Sequence, residues 1–206
     1  MDNLLFIGYE LLAAFVPFLL LFLLLRKIQK KQGFVFSKGH LPIMLIFSLY
    51  IAGVYHFTGT GTIYDILRYQ LELRYEQINL IPFSQDIDLT AYLLNILLFV
   101  PLGLLAPVLW QKMTRLPQII GLAFSFTLLI EASQLLNNRQ TDIDDIFMNL
   151  SGAVIGFAVF RLWHKFTGFR TNPPCSAELP LCIAVVFIGR FLFYNEMGFA
   201  RLLYHF

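Results

Sequence analysis

Six apolar runs divide the chain, at residues 4–25, 41–58, 89–110, 118–136, 143–164 and 179–195. About 20 consecutive apolar residues cross the hydrocarbon core of a bilayer. The first five runs have that length. The sixth is short and carries Arg190 inside it, so a tilted or interfacial segment is an alternative there. Between the second and third runs, Ile63, Leu67, Leu71, Tyr75 and Ile78 recur at helical spacing. Asp65, Arg68, Glu72 and Glu76 fall mostly on the other side. This predicts an amphipathic helix on the membrane surface, or a helix packed on the domain. A strand through Leu71–Tyr75 lacks partner strands. Pro82 then pushes Ile81 out of the helical region. The chain is predicted to be an all-α integral membrane protein of about six transmembrane helices, with an extracytoplasmic amphipathic helix between spans two and three. Four stretches follow: two N-terminal helices (1–58), an outer connection (59–88), a dense core (89–164) and a C-terminal loop with the sixth span (165–206).

Composition agrees. Of 206 residues, 58% are hydrophobic and 14% charged, with a mean hydropathy of +0.69. Soluble domains carry about 25% charged residues, and too little polar surface remains here to cover a soluble body. The first run has no basic stretch before it and no clear cleavage site, so it reads as a retained anchor rather than a signal peptide. Lys and Arg concentrate in alternate loops, as the positive-inside rule expects. Arg26, Lys27, Lys30, Lys31, Lys38, Lys112, Arg115, Arg161, Lys165 and Arg170 are ten of the 15 basic residues. Those loops hold one acid, Glu178. Both termini are therefore predicted outside. The net charge of +2 gives no indication of nucleic-acid binding, because the basic residues serve orientation. Cys175 and Cys182 lie in or beside an inner loop, have no metal-ligand spacing, and read as inert thiols.

Polar residues inside the apolar runs are the chemical signal, because a carboxylate within a membrane helix is costly and needs a partner or a purpose. Thr127, Glu131, Gln134 and Asn138 form one helical stripe; Asp142, Asp145, Asn149, Gly152 and Gly156 form another. A tight turn near residues 138–140 makes the two helices antiparallel neighbours. Folding there sets Glu131 level with Asp145, Gln134 with Asp142, and Asn149 near Thr127. Asn95 sits near the outer end of a third stripe, with Phe99, Gly103 and Ala106 below. Gly152 and Gly156 would let that helix approach closely.

Three roles are open for this cluster. Thr141 or Asp142 caps a helix whose first turn favours Asp144 and Asp145. Alternatively, Arg139 pairs with Asp142 or Asp145, and Gln134 and Asn149 satisfy the remaining groups. In the third, Glu131, Asp145 and Asp142 bind a divalent cation through oxygen, or Glu131 and Asp145 do acid–base work on a lipid-borne substrate. No Ser-His pair, His-x-x-x-His or Gly-x-Ser-x-Gly occurs. His40, His56, His164 and His205 read as structural or surface residues.

Asn79-Leu80-Ile81-Pro82-Phe83, then Asn95-x-x-x-Phe99-x-Pro101-x-Gly103, Glu131-x-x-Gln134, and Arg139-x-x-Asp142-x-Asp144-Asp145-x-x-x-Asn149-x-x-Gly152-x-x-x-Gly156 follow in order over residues 79–164. In this order the chain resembles the VanZ-like membrane proteins, with the first two spans and the last outside the likeness. The resemblance implies a multispanning bacterial membrane protein with a polar core of Glu131, Gln134, Arg139, Asp142, Asp145 and Asn149. It also implies an association with low-level resistance to teicoplanin, a lipoglycopeptide acting outside the cell. The leading expectation is an outward-facing pocket of Asn95, Glu131, Gln134, Arg139, Asp142, Asp145 and Asn149 that binds drug, precursor or lipid headgroup. An intramembrane enzyme is the alternative, and a transporter the third, although no inverted repeat or ATP-binding motif is evident.

Overall fold

The computed structural model describes residues 2–36, 39–69, 75–84, 88–110, 112–168 and 178–204. Long helices dominate: α1 (Asp2–Lys31), α2 (His40–Thr58), a short α3 (Ile63–Tyr69), α4 (Leu89–Leu109), α5 (Leu116–Gln134), α6 (Ile143–Thr167), α7 (Glu178–Phe193) and α8 (Glu196–Tyr204). Five are long and apolar enough to cross a membrane, and α7 with α8, bent by 48°, makes a sixth if the pair is one span. The fold is an all-α membrane-type bundle.

Differences from the sequence expectation lie in the connections. Of the amphipathic helix expected through Ile78, α3 covers Ile63–Tyr69, and Leu71 and Glu72 lie outside the described residues. A single 3-10 turn, Tyr75–Gln77, leads into the two-residue strand β1 (Ile78–Asn79). β1 pairs in parallel with β2 (Thr141–Asp142), in the register Ile78 with Thr141 and Asn79 with Asp142. Periodicity along one segment does not report pairing with another 63 residues away. Lys38, Arg170, Cys175 and His205 also lie outside the described residues. Cys182 is a buried free thiol.

The centre of the bundle is the contact between α4 and α6. A Cβ built on Gly103 would fall on the Ala153 carbonyl oxygen, one on Gly152 on that of Ile96, and one on Gly156 on that of Val100. The two backbones touch where these glycines face them, as small-residue stripes allow in membranes. α5 closes on α6, and α2 lies across α4, where the Tyr50 hydroxyl donates to the Leu98 carbonyl at 2.8 Å. α1 packs on α7 and α2. Phe47, Ile51, Tyr55, Phe99, Leu102, Phe126, Ile130, Ala153 and Phe160 fill the interior.

Candidate functional site

The end of α2, the first turns of α4 and α6 and the last turn of α5 enclose a pocket of about 510 Å³. Its lining holds Phe57, Thr58, Ala91, Leu94, Asn95, Leu97, Leu98, Glu131, Gln134, Arg139, Asp145 and Asn149. Local rules place these residues. Asp88 caps α4, accepting from Thr90 N–H at 2.9 Å and Ala91 N–H at 3.2 Å. Asp142 caps α6, its Oδ1 accepting from Asp144 N–H at 2.9 Å. After α5 a 3-10 turn ends on Asn138, whose φ of 59° is a left-handed value that Asn tolerates. That turn swings Arg139 over the pocket. Gly59, with φ of 62°, ends α2 in the same region of backbone space, and a Cβ there would meet the Arg139 guanidinium.

The four acids take different roles. Asp142 does not line the pocket: besides capping, its Oδ2 accepts from Asn79 Nδ2 at 3.1 Å. Asp144, 2% exposed, is turned the other way. Its carboxylate accepts from Phe83 N–H at 3.0 and 3.1 Å and from the Tyr92 hydroxyl at 2.6 Å. These bonds hold Phe83 at a φ of 53°, a conformation costly for a bulky side chain unless its surroundings impose it. Asn79 is fixed as well, its Oδ1 accepting from Ile81 N–H at 3.2 Å and the Ser84 hydroxyl at 3.0 Å. The Asn79–Phe83 motif and the Asp142–Asp144 pair are thus one clamp, closing the chain over the start of α6.

Glu131 and Asp145 do reach the pocket. Glu131 is 3% exposed; its Oε2 accepts from Asp142 N–H at 3.2 Å, and its carbonyl from the Thr141 hydroxyl at 3.0 Å. Asp145 accepts from Asn95 Nδ2 at 2.6 Å, which joins α4 to α6. Asn149 donates to the Thr127 hydroxyl oxygen at 2.8 Å, at the level the folded register gave. Gln134 Nε2 donates to the Thr58 carbonyl at 2.8 Å. Arg139 forms no ion pair with Asp142 or Asp145 among the described residues, and its guanidinium donates to the same Thr58 carbonyl at 2.9 Å. The side-chain oxygens of Gln134 and Asn149 are buried and have no hydrogen-bond partner among the described residues. Glu131 and Asp145 with two amide oxygens form an oxygen-only donor set, the chemistry a hard cation would require. No group of three or more His, Cys, Asp or Glu side chains is placed to hold a metal among the described residues, and Asp142, proposed as a third ligand, is occupied elsewhere.

A second polar cluster was not recognised from the sequence. Glu10 and Arg190 are both buried, and Arg190 Nε donates to Glu10 Oε1 at 2.6 Å. His56 Nδ1 meets Glu10 Oε2 at 2.6 Å. Arg190 also donates to the Thr60 carbonyl, and to its hydroxyl at 2.7 Å. One acid in the first apolar run and one base in the last were the available signal: opposite charges within membrane helices tend to pair.

A family model described as VanZ/LLP1 matches residues 44–164. The chain is a member of the VanZ/LLP1 family. The matched segment begins in α2, earlier than the motifs from Asn79 suggested, and so includes Phe57 and Thr58, which α2 contributes to the pocket lining. No curated protein and no solved structure matches the chain. The VanZ/LLP1 segment thus contains every residue lining the pocket, whereas Glu10 and Arg190 lie on the flanking helices.

Proposed function

We propose that this VanZ/LLP1 protein seats the polar headgroup of a membrane-resident amphiphile in the pocket between α2, α4, α5 and α6. The observation that carries the reading is the two-sided lining. Glu131, Gln134 and Asn149 form a buried polar floor, while Phe57, Leu94 and Leu97 are large, exposed apolar side chains on the same cavity. On membrane-spanning helices such side chains face acyl chains, so a headgroup can enter with its tail still in lipid. Arg26, Lys27, Lys30 and Lys31 in the last turns of α1, with Lys112 and Arg115 between α4 and α5, lie at the end of the bundle away from the pocket, which supports an outer position for it in a bacterial cell membrane, with both termini on that side.

The test is native mass spectrometry of the full chain purified from membranes. Wild type is expected to retain lipid, and Ala91→Trp, which fills the pocket from α4, to retain about tenfold less at unchanged thermal stability. Equal retention by both would remove the pocket from the account. Glu131 and Asp145 in one cavity also favour a second reading, acid–base chemistry on the seated lipid. In that case wild type converts the retained lipid on incubation, and Glu131→Gln retains it unaltered.

Kinship supports a role against lipoglycopeptides. Overexpression is expected to raise, and clean deletion to lower, the teicoplanin concentration that stops growth. Unchanged susceptibility in both strains would remove that role.

A further inference from the structure

The orientation of the amides in the pocket restricts what can bind there. Asn95 must turn its Nδ2 to the Asp145 carboxylate, 2.6 Å away, because an amide oxygen in that place would face a second acceptor. The same reasoning turns Gln134 Nε2 to the Thr58 carbonyl at 2.8 Å. Asn149 Nδ2 lies on Thr127 Oγ1 at 2.8 Å. Exclusion fixes Asn95 and Gln134; Asn149 faces a hydroxyl, which can accept or donate, and its oxygen is the end left over in the arrangement the structure shows. Gln134 and Asn149 line the pocket, both are over nine-tenths buried (6% and 2% exposed), and neither oxygen has a partner among the described residues. Buried acceptors without donors are unfavourable and rare. Beside them stand two carboxylates, Glu131 and Asp145. The floor presents acceptors and negative charge, and takes a group that donates several hydrogen bonds and carries positive charge.

We infer that the seated headgroup ends in a primary ammonium, and that the ligand is an amphiphile of the aminoethyl-phosphate type. This rests on the reading of the pocket as a headgroup site. A primary ammonium has three donors and no acceptor, matching the carboxylates and amide oxygens of the floor. A quaternary ammonium has no N–H to give and is recognised by aromatic cages; among the described residues, Phe57 is the single aromatic side chain in this lining. Arg139 stands exposed on the same pocket with one N–H on Thr58. A guanidinium keeps further donors for a phosphate. The lining offers each part of such a lipid a partner: exposed leucines for the tail, Arg139 for the phosphate, and Glu131 and Asp145 for the ammonium. A bare divalent cation would use the same oxygens, yet a single water takes only about 30 Å³ against a pocket of about 510 Å³.

The test offers the purified full chain an equimolar mixture of phosphatidylethanolamine, phosphatidylcholine and phosphatidylglycerol with identical acyl chains, and reads retained lipid by native mass spectrometry. Wild type is expected to favour phosphatidylethanolamine about tenfold, the scale of a hydrogen bond to a charged group. Asn149→Leu and Gln134→Met are expected to bring the ratio of phosphatidylethanolamine to phosphatidylglycerol toward one. A ratio is insensitive to the fraction folded, and if both variants lose all lipid the wild-type preference alone decides. Lipid retained without headgroup preference, or with phosphatidylglycerol preferred, overturns the ammonium and leaves the headgroup pocket standing. Failure to retain any lipid overturns both. Free phosphoethanolamine that displaces nothing at millimolar concentration supports a lipid source, and displacement by it at micromolar concentration overturns that source. Stabilisation by Ca²⁺ or Mg²⁺ alone, abolished by Asp145→Asn, would assign the floor to a metal and overturn the inference.

Discussion

Replacing Arg190 with Met is expected to cost the folded chain about 3–5 kcal/mol, the penalty for leaving one member of a buried ion pair unpaired. Arg190 and Glu10 are each 5% exposed and meet at 2.6 Å. The guanidinium also satisfies Thr60, just beyond the end of α2. Removing it leaves the Glu10 carboxylate within a bundle of apolar helices with His56 as its remaining side-chain partner. For a chain of this size the loss corresponds to a fall of roughly 10 °C in the thermal midpoint of the detergent-purified protein. The double variant Glu10→Met, Arg190→Met removes both charges and should recover more than half of the loss, because a buried pair is often replaced by apolar groups with little net change. If Arg190→Met melts within a degree or two of wild type, or if the double variant is worse than the single, the pair does not hold the bundle together. The pair also explains α7. An arginine in the middle of a short apolar run reads as interfacial from its sequence, but here it points inward to an acid 180 residues earlier.

Gly156→Leu is the second large effect. The Gly156 Cα lies against the Val100 carbonyl of α4, and Gly152 lies against that of Ile96. Neither neighbour is a side chain that can rotate away, so α4 and α6 would have to separate. Overpacking typically costs about 1–3 kcal/mol, and a backbone obstacle puts this substitution at the upper end. Separation would also pull Asn95 from Asp145, whose bond of 2.6 Å crosses the same interface. Stability and lipid retention are therefore expected to fall together, in thermal melts and native mass spectra of one preparation. Gly121→Ala is the control. Gly121 lies within α5, and a Cβ there meets nothing within 4 Å, so alanine should be neutral or stabilising by up to about 1 kcal/mol. A Gly156→Leu protein as stable as the control would contradict the close α4–α6 contact.

These two variants probe different layers. Gly156 lies within the matched family segment and sets the spacing of the pocket walls, whereas Arg190 lies outside it and fastens the flanking helices. A wild-type-like lipid preference in an Arg190→Met protein that still folds would separate the pocket from its scaffold.

Much of this was legible in the chain itself. Span lengths, the turn after α5 and the cap on α6 depend on local periodicity and on backbone groups within a turn of each residue. The Gly152 and Gly156 face opposite Gly103 was legible for the same reason, since small residues at spacing four mark where a helix can be approached. Glu131 and Asp145 were marked by the cost of a carboxylate inside an apolar run. What the tertiary structure alone decided were partnerships across long separations. Four acids look alike in sequence, but Asp142 became a cap bound to Asn79, and Asp144 an anchor for Phe83 and Tyr92. Of the four, Glu131 and Asp145 were left for the pocket. Gln134 and Arg139 went to the Thr58 carbonyl rather than to acids, because α2 ends beside them in space and nowhere near them in the chain. The strand pairing of Ile78–Asn79 and the ion pair of Glu10 with Arg190 arose likewise. Periodicity determines which face a residue occupies; the partner on that face is determined only when the helices pack.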